Sequence, residues 1–324
     1  MIQSGAAMCA LSEVSALLSR LQGQVRVEDP VVRYLGALFA ELAYYHVPEA
    51  ELDDRKRALL IPCESYQDLV QSGSRPNVLK LVNQVEIPES DTFIVTSPGV
   101  IVVGVRVHRT LFLGFRGTQF LFDWSINLRS SRVSLSRWAG RSDRFHEGFA
   151  MEAIWISQQI DGKLFEMGRG SFDNVVFSGH SLGGAVAAIS ALILKWPRSA
   201  VCLMGAPRYC NLSALASGYR QLPMQVRRAG DGVPTVPPKF LGYADHLRQI
   251  STDGSAYSEP DHFSGLFGGF VRWAAFLVSG AKSHSVESYR KEMGRAAGAA
   301  KAESDLTWHP RLTNAHVRKS KSAP

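Results

Sequence analysis

Cysteine is scarce in this sequence: four residues in 324, at positions 9, 63, 202 and 210. Their spacing fits neither a zinc site nor a disulfide framework, so no metal or other cofactor is expected and a small cross-linked fold is excluded. Long apolar runs are missing too, and nothing reaches the roughly 20 residues that a membrane-spanning helix needs. No Lys or Arg precedes the first apolar residues, and Ser, Gln and Glu interrupt them, so a secretory signal is not expected. The default expectation is a cytoplasmic protein, with export by a signal-less route left open. Negative charge is the rarer sign, 29 Asp and Glu against 36 Lys and Arg. The resulting +7 permits weak attraction to anionic surfaces such as phospholipid headgroups. No basic helix or aromatic–basic module accompanies it, so nucleic acid is not an expected partner. No internal repeat is visible.

What is present is an ordinary globular composition, 45% hydrophobic and 20% charged, in a chain long enough for a large core. Met8, Leu11, Val14, Leu17, Leu18 and Leu21 recur at helical spacing up to Gly23, and a second helix is predicted from about Val31 to His46. Residues 1–91 read as a helical layer packed on the core domain. Strands are predicted at Thr92–Ser97, Val100–Val107 and Thr110–Arg116, joined by connections short enough for antiparallel hairpins. After Phe145-His146-Glu147-Gly148-Phe149 comes a helix of about fifteen residues. Further strands are predicted at Ala200–Met204, Gln225–Arg228 and Leu247–Ser251. This alternation of strand and helix argues for a largely parallel sheet, with antiparallel strands toward its N-terminal side and helices on both faces. The core is placed at 92–297, and 298–324 is a basic, disordered tail.

The chemistry concentrates at Val175-Val176-Phe177-Ser178-Gly179-His180-Ser181-Leu182-Gly183-Gly184 and the Ala- and Leu-rich helix after it. The pentapeptide G-x-S-x-G alone is a modest signal, but a strand before it and a helix after it are the context it requires. A serine at the apex of such a turn needs an unusual backbone angle and a close pass of strand against helix, which flanking glycines allow. Ser181 is therefore the candidate nucleophile, and the Leu182 N–H is a candidate oxyanion donor. A serine also needs a base, and the base an orienting acid. Asp231, at the end of a short strand, is the candidate acid, with Asp245, Asp253 and Asp261 as alternatives. Three histidines follow it. His246 opens an apparent strand and reads as structural. His262 sits in a plausible loop, and His284 precedes the last helix. His180 belongs to the turn and reads as a packing or hydrogen-bonding residue.

Phe115-Arg116-Gly117-Thr118, Asp123-Trp124, His146-x-Gly148-Phe149, Gly179–Gly184, Gly205-x-Pro207-Arg208 and Asp231-x-Val233-Pro234 occur in the order seen in class 3 lipases. Residues 92–290 thus resemble that α/β-hydrolase family, which includes fungal triacylglycerol lipases and bacterial and plant phospholipases A1. One departure is Cys210, where a glycine is usual. The resemblance implies Ser181, His284 and Asp231 as triad, with Thr118 as second oxyanion donor and Arg116 and Asp123 holding its loop. It also makes Phe120, Leu121, Phe122 and Trp124 a lid segment that meets lipid, with the apolar stretch 263–278 similar in tone. The expected activity is hydrolysis of lipid esters at a lipid–water interface. Phospholipase A1 action, perhaps as an exported effector, and an inactive lipid-binding module are the alternatives; a peptidase is a weaker one.

Overall fold

The computed structural model describes residues 9–21, 25–46, 78–117, 131–257 and 283–306. Its centre is a sheet of seven strands: β1 (Thr92–Thr96), β2 (Val100–Val107), β3 (Thr110–Gly117), β6 (Asn174–His180), β7 (Ser199–Met204), β8 (Met224–Arg227) and β9 (Arg248–Ser251), neighbours in that order. The first three pair antiparallel, as short hairpin connections demand. From β3 to β9 all pairings are parallel. A separate two-stranded ribbon joins β4 (Arg132–Val133) to β5 (Phe145–His146).

Alternate residues of the strands feed two cores, because successive side chains leave a strand on opposite faces. On one face Val103, Val105, Phe112, Val176 and Met204 pack under α1 (Val14–Leu18), α2 (Pro30–Leu42) and α7 (Val286–Ala296). On the other, Val102, Leu111, Leu113, Phe115, Val175 and Phe177 pack under α4 (Glu147–Glu166) and α5 (Leu182–Leu194). Two shorter helices, α3 (Val78–Asn83) and α6 (Leu212–Ser217), complete the described set. With helices on both faces, the central strands read as continuous apolar runs, and every residue of β3 and β6 is buried.

α2 starts where its sequence says it should. Asp29 caps it by accepting the Val31 N–H, and Pro30 fills the first turn, where a missing N–H costs nothing. Phe39 then stacks on Phe112 of β3, ring centroids 4.5 Å apart. The helix predicted over 8–21 is shorter than its periodicity implies: Ala10–Glu13 is a 3₁₀ turn before α1. There the Ala10 and Leu11 N–H groups bond the carbonyls of Asp305 and Leu306, so a distant segment sets the conformation. α4 runs for twenty residues rather than fifteen, passing through Gly162 without a break. The two-residue strands β4 and β5 are too short to carry a periodic signal. No helix among the described residues is long and apolar enough to cross a membrane.

Candidate active site

The site grows from the junction of β6 and α5. Ser181 stands between them at φ 59° and ψ −134°, a conformation that costs a side-chain-bearing residue of order 1–3 kcal/mol. The surroundings enforce it. Its N–H donates to the Met204 carbonyl at 3.0 Å, and its carbonyl accepts the Gly184 N–H at 2.9 Å. Strand and helix also nearly touch: a β-carbon at Gly179 would lie 2.4 Å from the Gly183 carbonyl oxygen, and one at Gly183 would lie 2.5 Å from that of Phe115. No side chain fits either place. Leu182 and Gly183 become the first residues of α5, with N–H groups that no carbonyl of the helix can accept. Donors so placed, at the positive end of a helix dipole, suit an oxygen that gains negative charge.

Asp231 lies in the turn after β8, fully buried. Its Oδ2 accepts the His284 Nδ1–H at 2.8 Å and the Tyr289 hydroxyl at 2.7 Å, while Oδ1 accepts the Val233 N–H at 3.0 Å. Three donors leave the carboxylate one orientation. Burial, and then the charge of Asp231, push the Tyr289 phenol far above its usual range, so it stays a donor. His284 precedes the cap of α7, where the Ser285 hydroxyl accepts the Ser288 N–H. Arg228 ties the same stretch down from β8's end, donating to the Ser283 carbonyl at 2.9 Å and to Glu292 at 2.8 Å.

Gly205, at φ 55°, closes the floor of the site. A β-carbon there would lie 2.5 Å from Asp231 Oδ2 and 3.0 Å from His284 Cε1. Since the Ser181 N–H binds Met204, the residue before Gly205, the serine and the His–Asp pair meet the same strand end. The ring of His180 also lies against that of His284, centroids 4.4 Å apart. A strained serine, an acid-bound histidine and free helix-start amides at the carboxyl ends of β6, β7 and β8 are the parts that acyl transfer needs.

Residues 112–241 match the family model described as lipase (class 3). Over those residues the chain carries the class 3 lipase pattern, and it is a serine ester hydrolase with the α/β-hydrolase fold. Among solved structures, mono- and diacylglycerol lipase from Aspergillus oryzae is similar at a TM-score of 0.50, with 16% identity over 74% of this chain and 84% of that one. A lipase from Rhizopus microsporus var. chinensis is similar at 0.42, with 19% identity over 65% of this chain and 69% of that one.

Several residues singled out from the sequence lie outside the described residues: Thr118, Phe120, Leu121, Phe122, Asp123, Trp124, Asp261, His262, the stretch 263–278 and the part of the 298–324 tail beyond 306. Of the alternative acids, Asp245 is taken by Arg208 at 2.6 Å and by Lys239, and exposed Asp253 accepts from the N–H and hydroxyl of Ser255. His246 is buried with Nε2 toward the Pro207 carbonyl at 3.4 Å, and burial pulls its pKa down to about 4. Arg208 braces the turn after Asp231 by donating to the carbonyls of Thr235 and Pro237. Arg116 reaches back to the His46 carbonyl at 2.7 Å and lies over the Tyr44 ring; the loop it is expected to hold lies outside the described residues. Cys210, the departure from the family pattern, carries a buried thiol, its backbone pairs with that of Phe145 in an isolated antiparallel bridge, and Asn211 beside it caps α6. Tyr44, Arg228 and Tyr289 belong to no motif and reach the site only through the fold.

Proposed function

We propose that this chain cleaves carboxylic esters of lipids through an acyl-enzyme on Ser181, with His284 as base and Asp231 as its orienting acid. The observation that carries this reading is the His284–Asp231 hydrogen bond of 2.8 Å, formed beside a serine held at φ 59°. In this mechanism the Ser181 hydroxyl attacks the acyl carbon while its proton passes to His284 Nε2. The carbonyl oxygen becomes an oxyanion held by the Leu182 N–H, with Thr118 as the second donor. That second role is supported by Gly117, which ends β3 against Leu182. Collapse of the tetrahedral intermediate returns the proton to the leaving alcohol, and a water activated by the same imidazole releases the acid. Asp231 keeps Nδ1 protonated, so that Nε2 is the nitrogen left to receive the proton.

The substrate is read as a lipid ester met at an interface, with Phe120, Leu121, Phe122 and Trp124 as the segment that meets it. The test combines active-site labelling with product analysis. A fluorophosphonate should label the parent at Ser181, and Ser181→Ala should lose labelling and at least about 10⁴-fold in turnover of a short-chain ester. Incubation with mixed triacylglycerol and phospholipid vesicles then identifies which ester is cut. Labelling at a different serine, or an unlabelled and inactive parent, would overturn the reading.

A further inference from the structure

Tyr44 lies in the 3₁₀ turn Ala43–Tyr45 that extends α2, more than a hundred residues before the Ser181 turn, and is 2% exposed. Its hydroxyl is 2.8 Å from His180 Nδ1. His180 has no exposed surface, and its ring lies against that of His284 at 4.4 Å and 37°. A buried imidazole beside the base is a hazard unless its protonation is fixed. A charged ring there would repel the imidazolium that His284 must become, and a rotated ring would no longer support it.

The proton positions follow from what each nitrogen meets. His180 Nε2 makes no hydrogen bond of normal geometry. The backbone of His284 acts on the ring as an acceptor would, favouring a proton there. With Nδ1 met by the Tyr44 hydroxyl at 2.8 Å, Nε2 is the nitrogen left to turn a proton toward a carbonyl, so the proton is assigned to Nε2 and Nδ1 accepts from Tyr44. Burial, with His284 adding to it, holds His180 well below the usual histidine range, so the ring stays neutral. A neutral ring face is attractive to a neighbouring cation, whereas a charged one is not.

We propose that Tyr44 is a positioning residue for the base: by donating to His180 Nδ1 it fixes the Nε2–H tautomer and holds a neutral ring against His284. This rests on the reading of His284 as the base. It gives the N-terminal helices a part in the chemistry, since α2 and its 3₁₀ extension set where Tyr44 stands. Tyr44 touches no reacting atom and acts only through His180.

The first measurement needs no variant. Nitrogen-15 spectra of the histidine-labelled parent should show His180 Nε2 as the N–H nitrogen and Nδ1 as the bare, hydrogen-bonded one. The opposite tautomer overturns the proposal. Next, Tyr44→Phe should lower kcat on a soluble short-chain ester by about three- to tenfold, the equivalent of one neutral hydrogen bond, with KM within about twofold. In a His180→Asn background the same substitution should cost less than about twofold more, because the two residues act as one unit. An unchanged kcat, or an equal cost in both backgrounds, also overturns it. If Tyr44→Phe does not fold, the tautomer decides alone. A parent with no ester hydrolysis strikes the proposed function instead, and the spectra still read the tautomer.

Discussion

Gly205 shows how little room a single position has. Its φ of 55° already disfavours any side chain, and the β-carbon would land 2.5 Å from an oxygen of Asp231. The neighbour is a carboxylate held by three donors, not the loose end of a flexible chain, so it cannot yield cheaply. Gly205→Ala should therefore shift the His284–Asp231 pair. Displacement of a catalytic group by about 1 Å costs on the order of 10² in rate. The expected outcome is a fall in kcat of that size on a short-chain ester, together with a lower melting temperature from the left-handed backbone. A variant with parental kcat would show that the Asp231 carboxylate is not held as tightly as its three donors imply. Ser181 differs in kind: its strain is maintained by hydrogen bonds from two elements, and that is what leaves its side chain at the apex.

At the scale of elements, α2 and α7 are joined by an ion pair that no motif announces. Arg290 Nε donates to Glu41 Oε2 at 2.6 Å, with both side chains fully buried, and its other nitrogens serve the carbonyls of Ala302 and Ser304. Burial pushes the Glu41 carboxyl up to about 6, while the Arg290 charge pulls it back. Glu41→Gln would keep an acceptor but leave the arginine's charge uncompensated. Removing one partner of a buried pair costs about 3–5 kcal/mol, and a loss of that order in urea unfolding at pH 7 is expected. A loss below about 1 kcal/mol would mean the arginine finds another partner. The same contrast explains what could be read from the sequence. The antiparallel hairpins at the start of the sheet, the turn at Ser181 and the helix start at Pro30 follow from local sterics and short-range patterns, so the residues declare them. The approach of Asp231 to His284 follows from both lying where strands and loops end on one side of a parallel sheet. Tyr44, Tyr289, Arg228 and the Glu41–Arg290 pair arise from contacts between segments far apart in the chain. Their types fit an ordinary core or surface equally well, and β4 and β5 are too short for any period.

For the whole molecule, burial of titratable groups dictates the response to pH. His246 has its pKa pulled to about 4 by burial, and His180 also sits well below the usual range. An unfolded histidine titrates near 6.5, so between that value and the folded one the unfolded state binds more protons. Their contribution is fully present above pH 6.5 and is lost as pH falls. Glu41 works the other way: its raised pKa of about 6 makes its contribution largest below the unfolded value, and that contribution is lost as pH rises through 6. Two histidines oppose one carboxyl, and the histidine shifts are larger, so acid should destabilise the protein from below pH 6.5. For His246 alone the loss between pH 7 and pH 5 is roughly 2 kcal/mol. His246→Gln cannot titrate and keeps an amide N–H for the Pro207 carbonyl that His246 meets at 3.4 Å. Urea unfolding at both pH values should show the gap between parent and variant shrinking by about that amount at pH 5. Parallel declines in the two proteins would assign the acid sensitivity to other groups and leave His246 as packing alone.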